Sequence, residues 1–360
     1  MHKFWPTVGG TQKLAHHLAL GLINRGHSVT VLTSGSQTDK RIEEIDKIIV
    51  KRSRAFYFAS SRPWYVTPRL VATALQELGS GYDVVHSFHF VTFQSLVASC
   101  LRRLGRIPFV LTPSYHPWQG VYEETFGTFV LRSADALIAQ CRMEETLLSN
   151  YVKSEKITEI PDGIDSRAFV HLGNGDAFRK KYGFTSSDRL ILYVGQMGGR
   201  KSVSDLVSLM PAVTKKIPDA KLVLVGGGGA MKDSEVRGEA VRQIGRVTDS
   251  QLIDAYSAAD VFALPSQFES FGIVLLEAAA SGLPIVSRRV GVAPEIIQDG
   301  RNGLLQAECD ESFAMALCSV LSDSSYRKNA EEKRSEILAR YDWEKIVDSM
   351  ISLYEKIVGI

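Results

Sequence analysis

The segment QFESFGIVLLEA, Gln267 to Ala278, sets Glu269 and Glu277 eight residues apart at the two ends of an apolar run. Pro265 and Ser266 close a strand, Ser270 is placed to cap a helix, and 273–280 reads as the body of that helix. Glu269 then lies in the loop before the helix and Glu277 well inside it. Eight residues rise roughly 12 Å along a helix axis, so the two carboxylates can touch different parts of one extended ligand. Between them the N–H groups of Ser270, Phe271 and Gly272 make an anion site at a helix N-terminus, and the small Gly272 admits a close approach to the backbone. On spacing alone two other readings stay open. One is a capping carboxylate plus an unrelated surface glutamate; the other is a pair of carboxylates flanking a glycosidic bond.

The elements that must position these residues alternate between helix and strand. Leu14, Leu18 and Leu22 recur at four-residue spacing, the helix ends at Arg25-Gly26, and VTVLT from Val29 to Thr33 reads as a buried strand. DVVH from Asp83, PFVLT from Pro108 and ALIA from Ala136 follow as short strands with helical stretches between them. The alternation breaks around residues 161–188. It then restarts with LILYV from Leu190, KLVLV from Lys221, VFAL from Val261 and PIV from Pro284. Such a chain forms parallel sheets covered by helices, in two α/β halves: residues 1–170, joined by a last helix at about 343–360, and residues 171–342. In a doubly wound domain the Gly9-Gly10 turn should follow a first strand. The eight residues before it include Trp5-Pro6 and do not read as one, so either the first strand of the N-terminal half is absent from this chain or the true start lies upstream.

The 360 residues suit two domains of common size, and 45% apolar residues supply their cores. A net charge of +2 gives no sign of a nucleic-acid partner. No apolar run approaches the roughly 20 residues that span a bilayer, and MHKFWPTVGG lacks the apolar stretch of a secretory signal. Cys100, Cys141, Cys309 and Cys318 show no C-x-x-C spacing, which predicts reduced thiols in a cytoplasmic protein rather than a zinc or disulfide framework.

An ordered set of motifs runs over nearly the whole chain. It comprises GGTQ from Gly9, RGH from Arg25, SADALIA from Ser133, PDGID from Pro161, Val194-Gly195 with Lys201, and GRVTD from Gly245. Ala259-Asp260, the Glu269–Glu277 element, SGLP from Ser281, Pro294-Glu295 and NGL from Asn302 complete it. With these the chain resembles the retaining glycosyltransferases of family 4, a class that includes the phosphatidylinositol mannosyltransferases. The resemblance implies a GT-B fold of two Rossmann-like domains facing a central cleft. The second half would bind a nucleotide-sugar donor and the first a lipid-linked or glycan acceptor.

By the same resemblance Glu277 takes the ribose hydroxyls, while Glu269 and the backbone at Ser270, Phe271 and Gly272 meet the donor sugar and diphosphate. Lys201 and Arg200 neutralise the leaving diphosphate, Gly9 and Gly10 approach the phosphates from the first half, and Val247 lies where backbone reads the base. Gly195 and Gln196 complete the donor loop, with Gln196 standing where arginine is usual. The resemblance also implies no metal or other cofactor, retention of anomeric configuration, and an α-linkage. The leaving phosphate would take the acceptor's proton, with no covalent role for Glu269. In TPSYH, from Thr112, the family histidine is replaced by Ser114, and His116 is the candidate to take its place.

Other features are weaker. Gly226 to Gly229 lack the spacing of a dinucleotide loop. His16-His17 has no third ligand nearby, and His86 and His89 at a strand end suit either packing or substrate contact. From Lys47 to Gln76 there are six basic residues and no acidic one, and residues 51–65 interleave them with Phe56, Tyr57, Phe58, Trp64 and Tyr65. That segment is either an edge strand and loop or a peripheral contact with the cytoplasmic face of an anionic membrane. Two rival functions remain: a catalytically silent sugar-nucleotide-binding homologue, and a nicotinamide-dependent oxidoreductase.

Overall fold

The four-residue apolar runs between helices become strands covered on both faces. Phe109–Thr112, Ala136–Ala139 and Val261–Leu264 are buried at every position, as parallel strands between two helical layers require. The computed structural model describes residues 3–6, 9–35, 39–57, 65–105, 107–115, 126–171, 173–198, 201–227 and 239–360. They form two units, Met1–Gly163 with Trp343–Ile360, and Ile164–Asp342.

Unit 1 opens with α1 (Gly10–Asn24), β1 (Thr30–Gly35), β2 (Ile42–Ile45), β3 (Ile48–Arg54) and the short pair β4 (Phe56–Tyr57) and β5 (Tyr65–Val66). After α2 (Pro68–Leu78) come β6 (Val85–Phe88), α3 (Phe93–Gly105), β7 (Phe109–Thr112), α4 (Thr128–Ser133), β8 (Ala136–Ala139), α5 (Arg142–Leu148) and β9 (Ile157–Glu159). The strands make separate sheets: β1-β3-β2, with β2 antiparallel, and an all-parallel β6-β7-β8-β9. Among the described residues no strand precedes α1.

Unit 2 holds one continuous six-stranded sheet. Its chain runs α6 (Ser166–Val170), α7 (Gly175–Tyr182), β10 (Arg189–Val194), α8 (Val203–Lys216), β11 (Ala220–Val225), β12 (Val241–Gly245), α9 (Asp249–Ala258), β13 (Val261–Leu264) and α10 (Ile273–Ala280). Then follow β14 (Ile285–Arg288), α11 (Ala293–Ile296), β15 (Gly303–Gln306), α12 (Glu311–Ser322) and α13 (Ser324–Arg340). The order is β12-β11-β10-β13-β14-β15, every pair parallel. The helix starts are locally encoded: Thr248 and Gln251 form a reciprocal capping box on α9, and Asp310 and Asp323 cap α12 and α13.

The last helix, α14 (Trp343–Val358), belongs to unit 1. It buries Ile346, Val347, Met350 and Leu353 in the core that also holds Phe4, Leu14, Leu18, Ile48 and Val50. Arg25 ties α1 to α14 through Asp348 at 2.7 Å and Glu344 at 2.9 Å.

Two sequence expectations are corrected here. The strand read as Val29–Thr33 runs from Thr30 to Gly35. The basic run at 51–54 is not an edge strand: it lies in the central strand of its sheet, where Lys51 pairs with Glu77 at 2.5 Å and Arg52 with Glu43 at 2.6 Å. Both acids stand just outside the window that contains none. Phe58 and Trp64 lie outside the described residues.

Candidate functional site

Strands β10, β12 and β13 run parallel, so the turns that follow them gather at one edge of the unit 2 sheet. Gly195 and Gln196 follow β10, Val247 follows β12, and Glu269 to Gly272 follow β13. The carboxyl edge of an open parallel sheet is where such folds bind ligands.

Gly272 holds φ +90° and occupies the N-cap position of α10, with no side chain capping the first turn. Ser270 is therefore not the cap. The left-handed glycine takes that position two residues later, because only glycine enters this conformation without cost. The body of the helix is as expected, Ile273–Ala280. Phe271 is buried and its ring lies 6.4 Å from that of Tyr341, so only its backbone faces the edge. Its carbonyl accepts from Val292 N–H at 2.8 Å. Gly291, at φ +50°, makes that contact possible, since a Cβ there would lie 2.1 Å from the Phe271 oxygen.

Glu269 and Lys201 come together although 68 residues apart: Nζ donates to Oε1 at 2.6 Å, with the Glu269 side chain only 11% exposed. Lys201 stands just before Ser202, a non-glycine residue at φ +50° that occupies the N-cap position of α8. The lysine is thus held on a constrained turn. On the second turn of α10, Glu277 accepts a hydrogen bond from Tyr256 Oη at 2.8 Å. Burial first, and the Glu277 charge second, push the Tyr256 phenol far up, so it remains a donor. Tyr193, also raised chiefly by burial, donates to the Gln196 carbonyl at 2.8 Å and fastens that turn. Gln196 itself is exposed and Val247 half-buried. Arg200 lies outside the described residues.

In unit 1, Gly9 is the N-cap of α1 and Gly10 its first residue, with no atom within 4 Å of a Cβ built at Gly10. Beside them Thr11 Oγ1 meets His89 Nε2 at 2.9 Å. His86 is a packing residue. Its Nδ1 meets Tyr354 Oη at 2.6 Å and its Nε2 meets Thr112 Oγ1 at 2.8 Å, and burial lowers its pKa to about 3. His16 pairs with Asp46 at 3.0 Å and stacks on Trp5. Among the described residues no group of three or more His, Cys, Asp or Glu side chains is placed to hold a metal ion. His116 lies outside the described residues.

Ser114 is buried, at φ +45°, and its Oγ donates to Gln140 Oε1 at 3.1 Å. Gln140 Nε2 in turn donates to Asp162, and Glu144 accepts from the N–H groups of Tyr115 and Gln140, each at 2.7 Å. Burial raises both carboxyls to about 7. Sequence reasoning missed this cluster, and it missed Tyr193, Tyr256 and Gly291. Asp162 sat in PDGID, and Ser114 with Tyr115 in TPSYH, motifs that drew notice for other reasons; the others carry no pattern, because their partners meet them across the fold.

Comparison with known proteins fits these two units. Residues 8–167 match the model of Glycosyltransferase Family 4, and residues 174–336 that of Glycosyl transferases group 1. The phosphatidyl-myo-inositol mannosyltransferase of Mycobacterium tuberculosis is 28% identical over 378 residues, covering 98% of this chain and 94% of that one. Sucrose-phosphate synthase from Thermosynechococcus elongatus superposes with a TM-score of 0.80 at 22% identity, over 98% of this chain and 94% of that one. Alr3699/HepE of Anabaena, in complex with UDP and glucose, gives 0.75 at 18% identity and covers 98% of each chain. With one family model on each of its two units and this fold, the chain belongs to the family 4 glycosyltransferases of GT-B fold.

Proposed function

We propose that this glycosyltransferase binds a nucleotide-sugar donor in unit 2 and transfers the sugar, with retention, to an acceptor hydroxyl, giving an α-linkage. The observation that carries the reading is the Lys201–Glu269 pair, set at the carboxyl edge of the sheet beside the N-terminus of α10. The bond from the sugar's anomeric carbon to the diphosphate breaks, and negative charge grows on the departing phosphate. Lys201 and the positive end of α10 meet that charge without reorganisation. A bond from the acceptor oxygen forms on the same face, and its proton passes to the leaving phosphate. Glu269 accepts from hydroxyls of the donor sugar, and Glu277, held by Tyr256, accepts from the ribose. Chain cations serve in place of a metal. The mannosyltransferase relative and the UDP- and glucose-bound neighbour support a nucleotide-sugar donor.

The acceptor belongs, in this reading, to unit 1 and is a glycan or a lipid-linked alcohol. Ile42 and Ile49 are exposed on β2 and β3, and Arg54 lies over the exposed Phe56 ring at 5.1 Å. These features suit a membrane face even though Lys51 and Arg52 are already paired. Liposome co-sedimentation should favour anionic over neutral lipid, and equal binding would remove the membrane contact. Among the described residues no helix is long and apolar enough to cross a membrane.

A second reading keeps donor binding without transfer. It is favoured by Ser114, which the Gln140 network holds in place of a histidine. Thermal shift with GDP, UDP and ADP, free and as sugar conjugates, tests both readings. One nucleotide series should stand out, by about 2.7 kcal/mol at a ligand concentration ~100 times its dissociation constant. Transfer should then proceed equally with and without EDTA. No shift with any nucleotide overturns donor binding. Binding without turnover across a panel of lipid and glycan acceptors supports the silent homologue.

A further inference from the structure

Three successive parallel strands of unit 1, β7, β8 and β9, end at the same edge of their sheet, and the turn after each supplies one polar residue. Ser114 stands two residues past β7, Gln140 directly after β8 and Asp162 three residues past β9. All three are buried. One amide joins them: Gln140 Oε1 accepts from Ser114 Oγ at 3.1 Å, and Gln140 Nε2 donates to Asp162 Oδ1. The Gln140 main-chain N–H donates to Glu144, whose other carboxyl oxygen takes the N–H of Tyr115. The turn after β7 is therefore tied to the turn after β8 twice, through a side chain and through a shared carboxyl group. A carboxamide suits the hub, because it accepts at one end and donates at the other.

What this hub holds is a strained turn. Ser114 lies at φ +45°, a left-handed conformation that costs any residue with a Cβ. Next to it the buried Tyr115 ring stacks on Phe90 with centroids 5.3 Å apart, and its Oη meets Tyr151 Oη at 2.9 Å. Phe90 in turn follows His89, also left-handed at φ +62°, whose N–H bonds the Thr112 carbonyl at 2.9 Å. Adjacent strands thus end alike, each with a left-handed polar residue followed by a core aromatic. Among the described residues the other non-glycine positions with positive φ are Asp46 and Lys47, in the turn between β2 and β3, and Ser202 beside Lys201. Strain of this kind persists where surrounding contacts over-determine it, and it gathers at functional sites. The carboxyl edge of this sheet is also where an open parallel sheet meets its ligand.

We propose that Gln140 is a positioning residue for sugar transfer: bonded to Ser114 on one side and Asp162 on the other, it holds the turn after β7 in the conformation in which unit 1 receives the acceptor hydroxyl. It touches no substrate and acts through Ser114. The inference rests on the reading that unit 1 binds the acceptor. It makes the serine part of a built turn instead of the remnant of a lost site.

The test exchanges the two ends of one hydrogen bond. Gln140→Glu alone sets two carboxyl groups against each other, with Glu144 as a third close by, and they stay together only by sharing a proton. Gln140→Glu combined with Asp162→Asn restores one carboxylate and one amide with the roles reversed, at unchanged charge and size. Kinetics use the sugar conjugate identified by thermal shift and an alcohol from the lipid and glycan panel. The single variant should lose roughly tenfold to a hundredfold in kcat, with donor KM within about twofold of the parent. Its deficit should deepen between about pH 6 and pH 9 as the shared proton leaves. The exchanged pair should return to within about threefold of the parent and lose that extra pH dependence. Ser114→Ala and Gln140→Leu should each lower kcat by a similar factor and together by no more, because they cut the same link. Amide exchange at Tyr115, which needs no turnover, should quicken about tenfold in Gln140→Glu and recover in the exchanged pair.

The proposal is overturned if the exchanged pair is as poor as the single variant, if the Ser114 and Gln140 effects multiply, or if Tyr115 exchange is unchanged. An active parent indifferent to these substitutions fails this inference alone. A parent that turns over no acceptor fails the transfer reading, and the inference with it.

Discussion

Lys201 and Tyr256 act on different stages of the proposed reaction, and substitution separates them. Lys201 meets the negative charge that grows as the diphosphate leaves, so Lys201→Ala should lower kcat by roughly 10²–10³ with a smaller effect on donor KM. Tyr256 orients Glu277 in the ground state as well, so Tyr256→Phe should raise donor KM by about three- to tenfold and leave kcat nearly unchanged, loss of one hydrogen bond being about 0.5–1.5 kcal/mol. Steady-state kinetics with the donor found by thermal shift decides both. The buried carboxyls of unit 1 give a pH signature. Burial holds Asp162 and Glu144 at about 7, against roughly 4 in an unfolded chain. The folded unit therefore carries extra protons between those values, and their contribution to stability falls as pH rises through that window. Asp162→Asn keeps an acceptor for Gln140 and removes the charge, so the variant should gain on the parent between about pH 5 and pH 8. Urea midpoints that differ equally at both pH values would contradict this. Of these residues the sequence declares the charged ones. Glu269, Glu277 and Lys201 stand in recognisable spacing, whereas Tyr193 and Tyr256 look like ordinary core aromatics until their hydroxyls are seen to have partners.

At the scale of elements, strain and close approach concentrate where α10 begins. Gly291→Ala would force a Cβ against the Phe271 carbonyl and should cost about 2–4 kcal/mol, with weaker nucleotide binding. Gly300, also left-handed at φ +79° but with open space around it, is the control; Gly300→Ala should cost only about 1–2 kcal/mol and leave binding unchanged. Chemical denaturation and nucleotide titration of the two variants distinguish local geometry from general destabilisation. The same contrast explains what could be read in advance. Ala136–Ala139 and Val261–Leu264 were legible to the residue, because full burial leaves an uninterrupted apolar run between polar or proline flanks, and the body of α10 was legible because a mostly apolar run of helical length follows Gly272. β3 was not, because Lys51, Arg52 and Arg54 interrupt its pattern, and the acidic partners of Lys51 and Arg52 come from α2 and β2. The cap of α10, though not its first residue, was misread by two positions, since a positive φ leaves no trace in composition beyond the glycine itself.

At the scale of the molecule, unit 1 is built from two stretches of chain and unit 2 from one. Removing α14 takes Ile346, Val347, Met350 and Leu353 out of the unit 1 core. At about 1.5–3 kcal/mol for each buried side chain, that is roughly 6–12 kcal/mol, comparable with the whole stability of a domain. A chain ending at Asp342 should therefore lose the calorimetric transition and protease resistance of unit 1 while unit 2 keeps both. The interrupted path also sets an order of events during synthesis. Residues 164–342 leave the ribosome before Trp343 does, and at ~5–20 residues per second this interval lasts roughly 10–40 s. During it unit 2 has everything it needs, while the N-terminal stretch waits with the α14-facing side of α1 uncovered. The part of the protein made first is thus the part completed last, and nascent-chain quality control will meet unit 1 as its exposed client.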